Sequence, residues 1–336
     1  MFDWIKKRTS RFKRNEQLET LLEELSDALE VAEDSLVEPS SLEQDLPTIF
    51  IVGAPRSGTT LLMQALAASG CFAYPTNFLS RFYSSLSIGY KIQQLLLNKS
   101  FQYRDELKLT QDSFSFESDL GKTQGALAPN VFWYFWYKHF AFDELSSLTE
   151  EQWQASNTQR FKKELGLLQN EWQLPLVLKG MIINWNIPQV AKLMPNAVFL
   201  RVKRELPYIA NSIYEARKTV MGSFEEWWSF KPPEYYQLKK LSAKEQVVGQ
   251  CLSIENAIDS AFDLLPEDRR FTCDYESFCH NPNQFIERFN RHLGNESAEP
   301  RLVSNFEVSR PIDKHLSQQW EEIFEEVANK QLFIDD

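Results

Sequence analysis

The sequence predicts a three-layer α/β/α fold, in which helices cover both faces of a central parallel sheet. Residues 49–52 (Ile-Phe-Ile-Val) form an apolar run that is typical of a strand buried on both faces. Strand-like and helix-like segments then alternate along the chain, as the crossovers of a parallel sheet require. The 336 residues are 43% apolar and 25% charged, so the chain can form a substantial core and is not globally disordered.

Further strands and helices are expected in a regular order after the first strand. A loop leads from that strand into the helical spacing of Leu61, Leu62, Ala65 and Leu66. Three more strands are expected at 176–178, 197–200 and 271–273. Helices are expected at 185–194, 206–218, 238–264 and 282–293. Residues 80–175 are rich in aromatic residues and poor in strand signals, so we expect a large helical insertion over the sheet.

The first 45 residues differ in charge from the α/β domain expected at 46–336. Residues 1–14 form a basic tip with six basic side chains, and residues 15–45 carry eleven acids and no base. Leucines at three- and four-residue steps predict an amphipathic helix over 15–36. They are Leu18, Leu21, Leu22, Leu25 and Leu29. This helix can pack on its own domain or contact a partner or second copy, and the basic tip can touch an anionic membrane.

Composition also bears on location and partners. No run of about 18 or more apolar residues exists, so no transmembrane segment is expected. The first residues lack the apolar stretch of a secretory signal, so we expect a cytoplasmic protein. The four cysteines have neither metal-ligand nor disulfide-scaffold spacing, and we expect no metal. At a net charge of −11 no nucleic acid partner is expected, although the domain can still present a basic pocket to a small anion.

The strongest chemical signal is the loop from Gly53 to Thr60, which lies between the first strand and a helix. Free backbone N–H groups at a helix start, together with the helix dipole, favour an anion there. Arg56 adds a fork of donors, and a serine and two threonines add hydroxyls. The spacing resembles the P-loop of nucleoside triphosphatases, which predicts a P-loop NTPase-like fold. Thr59 stands where that loop has its lysine, which argues against ordinary ATP chemistry.

The segment Pro-Arg-Ser-Gly-Thr-Thr after an apolar strand resembles the 5′-phosphosulfate loop of sulfotransferases that use 3′-phosphoadenosine 5′-phosphosulfate (PAPS). The resemblance implies that PAPS is the co-substrate and that five residues contact its phosphosulfate. These residues are Arg56, Ser57, Gly58, Thr59 and Thr60.

A second motif of the same family is a strand followed by an arginine and, eight residues later, a serine. Arg204 and Ser212 match it, and the resemblance implies that they bind the 3′-phosphate of PAPS. An arginine at a strand end and a serine two turns into the next helix can both reach one phosphate. The sequence Glu205-Leu206-Pro207 shifts the family's proline by one residue, so the local turn differs from the usual pattern.

Weaker similarities extend the resemblance over residues 47–293. Residues 176–179 (Leu-Val-Leu-Lys) resemble a strand that ends in lysine in bacterial sulfotransferases, and residues 273–278 resemble the strand that ends in Tyr-Glu. We expect Tyr275 and Glu276 of the latter to be structural, tying strand to helix. Arg310 and Lys314 could cover the nucleotide, since the family often closes its 3′-phosphate site with C-terminal basic groups.

The catalytic base is not given by the resemblance. Several branches of the family carry a glutamate just over twenty residues after the loop proline, where this chain has Thr76 and Asn77. The acceptor hydroxyl is a weak nucleophile that usually gives its proton to a His or a carboxylate. We expect His139, in the insertion, to take this role ahead of Glu117 and Asp119. Lys179 is expected to act on the bridging oxygen of the leaving group, although a structural ion pair would equally explain it.

The acceptor is expected to be a hydroxyl compound, and a glycan would suit it. Residues 131–137 and 225–228 concentrate aromatic side chains, which can pack on sugar faces or can form the insertion's own core. Two other functions stay open. A P-loop kinase should bind ATP, and a non-catalytic nucleotide-binding or scaffold protein should bind the donor without turnover.

Overall fold

The computed structural model describes residues 8–40, 46–101, 108–109, 115–309, 312–330 and 332. Its strands are β1 (Thr48–Val52), β2 (Ser118–Asp119), β3 (Lys122–Thr123), β4 (Leu176–Lys179), β5 (Ala197–Lys203) and β6 (Arg270–Asp274). The first helices are α1 (Glu16–Val37), α2 (Thr59–Ser69), α3 (Leu86–Leu97), α4 (Trp133–His139), α5 (Glu150–Ala155), α6 (Thr158–Trp172) and α7 (Ile187–Leu193). They are followed by α8 (Leu206–Met221), α9 (Tyr235–Leu238), α10 (Ala243–Leu264), α11 (Tyr275–His280), α12 (Pro282–His292) and α13 (Lys314–Ala328). Short 3-10 helices lie at Ser10–Phe12, Leu79–Phe82, Lys99–Phe101, Met181–Ile183 and Glu267–Arg269.

The four predicted strands form one parallel sheet in the order β4-β1-β5-β6. In its register, Phe50 of β1 lies beside Leu178 of β4 and Phe199 of β5. The central position of β1 explains why four of its five residues are apolar, since all five are buried. The carboxyl end of β1 therefore opens between two neighbouring strands, which is where ligands bind in open parallel sheets.

Helices cover both faces of this sheet, as the sequence predicts. Alternate residues of β1 belong to different cores: Phe50 packs on one face among residues of α4, α6, α8 and α10, and Ile51 packs on the other among residues of α2, α11 and α12. The ring of Phe50 lies 5.7 Å from that of Phe199 and 6.0 Å from that of Trp136. Trp136 belongs to the insertion, so part of the insertion is continuous with the sheet's own core.

The insertion is mainly helical, as expected, but it also contains an unpredicted hairpin. β2 and β3 pair antiparallel, with Ser118 opposite Thr123. Leu120 and Gly121 form the turn, and both have positive φ (47° and 87°). Two-residue strands carry no periodic pattern, which is why the sequence gives no sign of them.

The acidic helix α1 packs on the insertion of its own chain, with Leu22 and Val37 buried. Glu33 is also fully buried, and its carboxylate accepts from the backbone N–H groups of Ser87 (2.9 Å) and Ile88 (3.2 Å). These N–H groups begin α3 and have no partner within that helix, so Glu33 caps α3 from a distant part of the sequence. The leucine pattern allowed this helix to pack on its own domain or to contact a partner, and in the structure it packs on its own domain.

Two further features bear on the sequence-based expectations. In the part of the chain that the structure describes, no helix has the length and apolar character needed to span a bilayer. The four cysteines are buried and form no disulfide with one another.

Candidate active site

The loop after β1 forms a turn at the start of α2 that is a candidate anion site. The helix begins at Thr59, and no side chain caps its first turn. Arg56 is held in the left-handed region at φ +71°, a conformation that costs energy for a residue with a side chain. The hydroxyl of Ser57 is fully buried and has no hydrogen-bond partner among the described residues. An uncapped helix start beside a buried, unpartnered hydroxyl fits the phosphosulfate of PAPS.

Gly58 is required at the turn by the side chain of Tyr275. Its φ is +104°, and a Cβ at this position would lie 2.4 Å from Cδ2 of the Tyr275 ring. Tyr275 is buried at the start of α11, directly after β6. Its ring also lies under the guanidinium of Arg204, with 4.4 Å between Cζ and the ring centroid. The expected structural role of Tyr275 therefore includes supporting both candidate anion sites.

Arg204 and Ser212 lie next to the loop, as the spacing of the two motifs implies. Nε of Arg56 donates to the Ser212 hydroxyl at 3.0 Å, and Nη1 of Arg204 donates to the carbonyl of Arg56 at 2.8 Å. Nη2 of Arg204 donates to the carbonyl of Ser309. The shifted proline does not disturb this arrangement, because α8 starts at Leu206 and accepts Pro207 in its first turn.

Lys179 ends β4 and is joined to the same group of residues. Its Nζ donates to the Thr60 hydroxyl at 2.8 Å, and only 6% of the residue is exposed. Burial, and secondly the nearby positive charge of Arg56, lower the pKa of Lys179 to about 7. Two cations held together with little water are stabilised by an anion between them, so this pairing also fits a sulfated or phosphorylated ligand.

Asn184 is a site residue that sequence reasoning missed. It is fully buried, and its side-chain amide accepts from the backbone N–H of Gly53 at 3.2 Å and donates to the Gly53 carbonyl at 3.0 Å. This pair of bonds fixes the first residue of the loop to the segment after β4. An asparagine inside an apolar stretch carries no motif, so only the fold reveals the contact.

The hairpin β2–β3 lies over the site. A Cβ on Gly121 would lie 3.4 Å from the Thr60 hydroxyl and 3.8 Å from Nζ of Lys179. Burial and Arg204 lower the pKa of Arg56, and the nearby carboxylate of Asp119 acts in the opposite direction. Asp119 also forms an ion pair with Arg11 at 2.6 Å. Of the three candidate bases, Asp119 is therefore the one that the structure brings to Arg56.

Asn77, at the place where family members carry a glutamate, supports the hairpin. Its side-chain nitrogen donates to Oγ1 of Thr123 at 3.1 Å and to the carbonyl of Gly125 at 2.9 Å. Its side-chain oxygen accepts from Asn130 at 2.7 Å. An amide whose donors and acceptor are engaged in this way acts as a positioning group for the segment after β3.

His139 lies in a different environment. Its ring packs against Phe135 and Phe161, is 1% exposed, and has Nε2 2.9 Å from Oε2 of Glu164. Burial lowers the pKa of His139, although the bond to Glu164 opposes this. Glu164 also binds Lys138 and Arg160. The geometry therefore gives His139 a part in tying α4 to α6, and not the solvent-facing position that proton transfer from an acceptor requires.

The remaining sequence-based candidates differ in their surroundings. Glu117 is exposed, just before the hairpin, and Lys314 is exposed at the start of α13. Arg310 lies outside the described residues. Within the aromatic run at 131–137, Phe132, Phe135 and Trp136 belong to the core, whereas Trp133 and Tyr137 are 39% and 38% exposed. Among the described residues, no cluster of three or more His, Cys, Asp or Glu side chains could hold a metal ion.

The parallel sheet, with its anion-binding loop between β1 and α2, defines a P-loop-like α/β protein. A sequence model of the Sulfotransferase family matches residues 47–299, so the chain belongs to that family. The resemblance drawn from the loop is thereby confirmed, and the family supports sulfotransfer activity. No curated protein matches the sequence.

Two solved bacterial sulfotransferases share the fold. The crystal structure of STF1 from Mycobacterium tuberculosis has a TM-score of 0.53 at 14% sequence identity, and the match covers 89% of this chain and 81% of that one. The structure of STF9 from Mycobacterium avium has a TM-score of 0.50 at 13% identity, with 91% of this chain and 73% of that one covered. At such low identity the likeness concerns the fold alone.

Proposed function

We propose that this protein transfers a sulfonate from PAPS to a hydroxyl group of an acceptor. The observation that carries the proposal is the joint hydrogen bonding of the two motifs: Arg56 donates to Ser212, and Arg204 donates to the backbone of Arg56. A nucleotide with phosphates at both the 5′ and the 3′ positions needs two anion sites at a fixed separation. The loop after β1 and helix α8, which these hydrogen bonds join, supply such a pair of sites.

PAPS, when bound, supplies an activated sulfonate and a phosphate leaving group. In this proposal the first turn of α2 and Arg56 bind the phosphosulfate, with Ser57, Gly58, Thr59 and Thr60. Arg204 and Ser212 bind the 3′-phosphate. Lys179 keeps its proton on Nζ next to the Thr60 hydroxyl and offsets negative charge on the leaving side. Positioning and charge stabilisation of this kind dominate in-line transfer reactions.

We assign the acceptor's proton to Asp119. Its carboxylate is 44% exposed, lies near Arg56, and belongs to the hairpin that contacts Thr60 and Lys179 through Gly121. These features match the requirements of a base that faces both solvent and the transferring group. The ion pair with Arg11 holds the carboxylate in place, and an acceptor would enter between the hairpin and α4.

A glycan is one acceptor that this surface would suit. Trp133 and Tyr137 present exposed rings on α4, and the ring of Trp133 lies 5.6 Å from that of Phe230. Rings of this kind pack on the C–H faces of sugars while polar groups bind the hydroxyls. Phe132, Phe135 and Trp136 of the same run are buried and belong to the core.

The decisive experiment compares nucleotides by thermal shift. Adenosine 3′,5′-bisphosphate (PAP), the product nucleotide, should raise the melting temperature far more than AMP or ATP with Mg²⁺, since ligands stabilise in proportion to RT ln(1 + [L]/Kd). Equal shifts with AMP and PAP would remove the case for a 3′-phosphate site. A larger shift with ATP would favour the kinase alternative, and PAPS binding without formation of PAP in any condition would favour a non-catalytic protein.

A further inference from the structure

The hairpin β2–β3, which lies over the candidate site, needs support from outside. Each of its strands has only two residues, and a two-stranded ribbon is at best marginally stable in water. Its turn is nevertheless placed closely, because a Cβ on Gly121 would lie 3.4 Å from the Thr60 hydroxyl and 3.8 Å from Nζ of Lys179. Asn77 supports the second strand through its hydrogen bond to Thr123. The turn and the first strand depend on other residues.

Phe12 carries the contact between the N-terminal segment and the hairpin. Its side chain is 6% exposed and forms a small apolar cluster with Val220 and Met221 at the end of α8. Leu120, which lies in the turn of the hairpin, packs on the same cluster. Nζ of Lys122, on β3, lies 5.9 Å from the centre of the Phe12 ring. One aromatic ring thus joins the hairpin to the end of α8.

The segment that carries Phe12 is itself anchored to α8. The backbone N–H of Thr9 donates to the carbonyl of Val220 at 2.8 Å, and the Thr9 hydroxyl donates to the carbonyl of Thr219 at 3.1 Å. The last carbonyls of a helix have no partner within it, so these bonds complete the end of α8. The same helix carries Ser212 of the candidate 3′-phosphate site. The hairpin is therefore referred, through Phe12, to a helix that belongs to the nucleotide site.

Arg11 adds an ion pair with Asp119 on β2, at 2.6 Å. The two side chains are 71% and 44% exposed, and an ion pair of this exposure contributes little to stability. It can orient the carboxylate, but it cannot fix the hairpin. Burial of an apolar aromatic ring contributes more, so the placement of the hairpin depends mainly on Phe12.

We propose that Phe12 is a positioning residue for the sulfotransfer reaction. By packing between α8 and the hairpin, it fixes the turn over Thr60 and Lys179. It thereby also holds Asp119 at the entrance of the site. This inference rests on the proposed function, with Asp119 as the base. Phe12 lies outside the family match, which begins at residue 47, so the family's motifs do not include it.

The first test compares Phe12→Ala with Phe262→Ala. Phe262 is similarly buried (7% exposed), but it lies at the end of α10, where its carbonyl accepts from Arg270 at the amino end of β6, away from the carboxyl ends of the strands. Turnover is measured as PAP formation from PAPS with water as acceptor, and PAP affinity by calorimetry. Phe12→Ala should lower kcat at least about tenfold and change PAP affinity less than about twofold, whereas Phe262→Ala should change neither by more than about twofold.

Three results of this comparison would overturn the inference. They are an equal kcat in the two variants, a loss of PAP affinity in Phe12→Ala as large as the loss of kcat, and a rise of kcat in Phe12→Ala. The last of these would show that the segment excludes water and does not position the base.

The second test is independent of activity. Hydrogen exchange is followed by mass spectrometry in a peptide that spans residues 116–125. The hairpin amides should exchange at least about fivefold faster in Phe12→Ala than in the wild type, and at the wild-type rate in Phe262→Ala. Unchanged exchange in Phe12→Ala would contradict the proposed role.

A third test asks whether Phe12 acts through the hairpin. Phe12→Leu, which keeps an apolar side chain in the cluster, should retain at least about a third of the wild-type kcat. Leu120→Ala removes the hairpin's side of the contact and should also lower kcat. In the double variant Phe12→Ala/Leu120→Ala the two losses should not multiply, because both substitutions remove the same contact. Losses that multiply would show that the effect of Phe12 does not pass through the hairpin.

The same assays separate this inference from the function it rests on. If PAP fails to bind the wild type, the sulfotransferase proposal falls. If PAP binds and Phe12→Ala behaves like Phe262→Ala in turnover and in exchange, only the role of Phe12 is rejected.

Discussion

Arg56 and Ser212 are 156 residues apart in the sequence, and their side chains are joined by a 3.0 Å hydrogen bond from Nε to the hydroxyl. The bond links the loop after β1 to the second turn of α8. Arg204 strengthens the link from the other side by donating to the Arg56 carbonyl. The two motifs are therefore structurally coupled, and a substitution in either motif should alter the geometry of both.

The first prediction concerns Arg204→Ala. Loss of the guanidinium should weaken PAP binding by about 1.5–3 kcal/mol, the range for a charge-assisted hydrogen bond. AMP, which lacks the 3′-phosphate, should lose less than about 1 kcal/mol, through the contact with the Arg56 carbonyl. Isothermal titration of both nucleotides measures the difference. Equal losses for PAP and AMP would show that Arg204 does not read the 3′ group.

The second prediction compares two glycines with positive φ. Gly58→Ala should weaken PAP binding at least about tenfold, because its Cβ meets Tyr275 at 2.4 Å and must displace the loop or the ring. Gly294→Ala is the matched control, since its φ is +70° but nothing lies within 4 Å of its Cβ. Gly294→Ala should lose roughly 1–2 kcal/mol of folding stability from backbone strain, and Gly58→Ala should lose more, because the clash with Tyr275 adds to the strain. A PAP affinity that is the same in both variants would contradict the assigned role of Gly58.

The third prediction concerns proton uptake by Lys179. Its pKa is about 7 in the ligand-free protein because of burial and Arg56, and a bound anion should raise it. PAP binding near pH 8 should therefore take up as much as about one proton, and affinity should fall as pH rises above 7, by at most about tenfold per unit. Calorimetry in two buffers of different ionisation enthalpy measures the uptake. Lys179→Met should abolish it, and an unchanged uptake in that variant would assign the proton to another group.

The same lysine has the opposite effect on folding stability. In the unfolded chain Lys179 keeps its proton up to the ordinary lysine pKa of about 10.4, whereas the folded protein releases it near 7. Between these values the unfolded state binds more protons. The contribution of Lys179 to the free energy of unfolding therefore rises with pH in this window.

The fourth prediction separates the two candidate bases. Asp119→Asn should lower kcat by about a hundredfold or more, measured as sulfate release from PAPS with water as acceptor, with PAP affinity changed much less. His139→Leu should leave kcat near the wild-type value but lower the free energy of unfolding by about 1–3 kcal/mol, because the buried Glu164 loses a partner. The reverse pattern would restore the sequence-based choice of His139.

The fold could be predicted because its signals are local. The apolar run of β1, the glycine-bearing loop and the helix after it lie within about twenty residues, and each depends on near neighbours in the chain. The pairing of Arg204 with the loop could be predicted for a different reason. The resemblance to the family's second motif assigns Arg204 to the same nucleotide as the loop, which the residues alone do not show. The hairpin at 118–123 could not be predicted, because its two-residue strands are too short for a pattern. Its position beside Thr60 and Lys179 depends on residues far away in the sequence.

The burial of His139 follows from its position on the helix. Phe132, Phe135, Trp136 and His139 follow the spacing of one helical face, and all four are buried together. Trp133 and Tyr137 fall on the other face and are exposed. The position of His139 on this helical face thus predicts that it is buried. Its location in the insertion predicts only that it lies above the sheet.

Glu33 has a consequence for how this protein can be divided. The family match begins at residue 47, which suggests a natural place to trim the chain. Removing α1 would leave the N–H groups of Ser87 and Ile88 without the carboxylate that now accepts from both, and would expose the surface that α1 covers. Each lost bond to a charged acceptor is worth about 1.5–3 kcal/mol, a sizeable part of a typical domain's total stability. Helix α1 lies outside the family match but stabilises the domain that carries the candidate site. A protein shortened to residue 47 would keep the family's residues and lose this stabilisation.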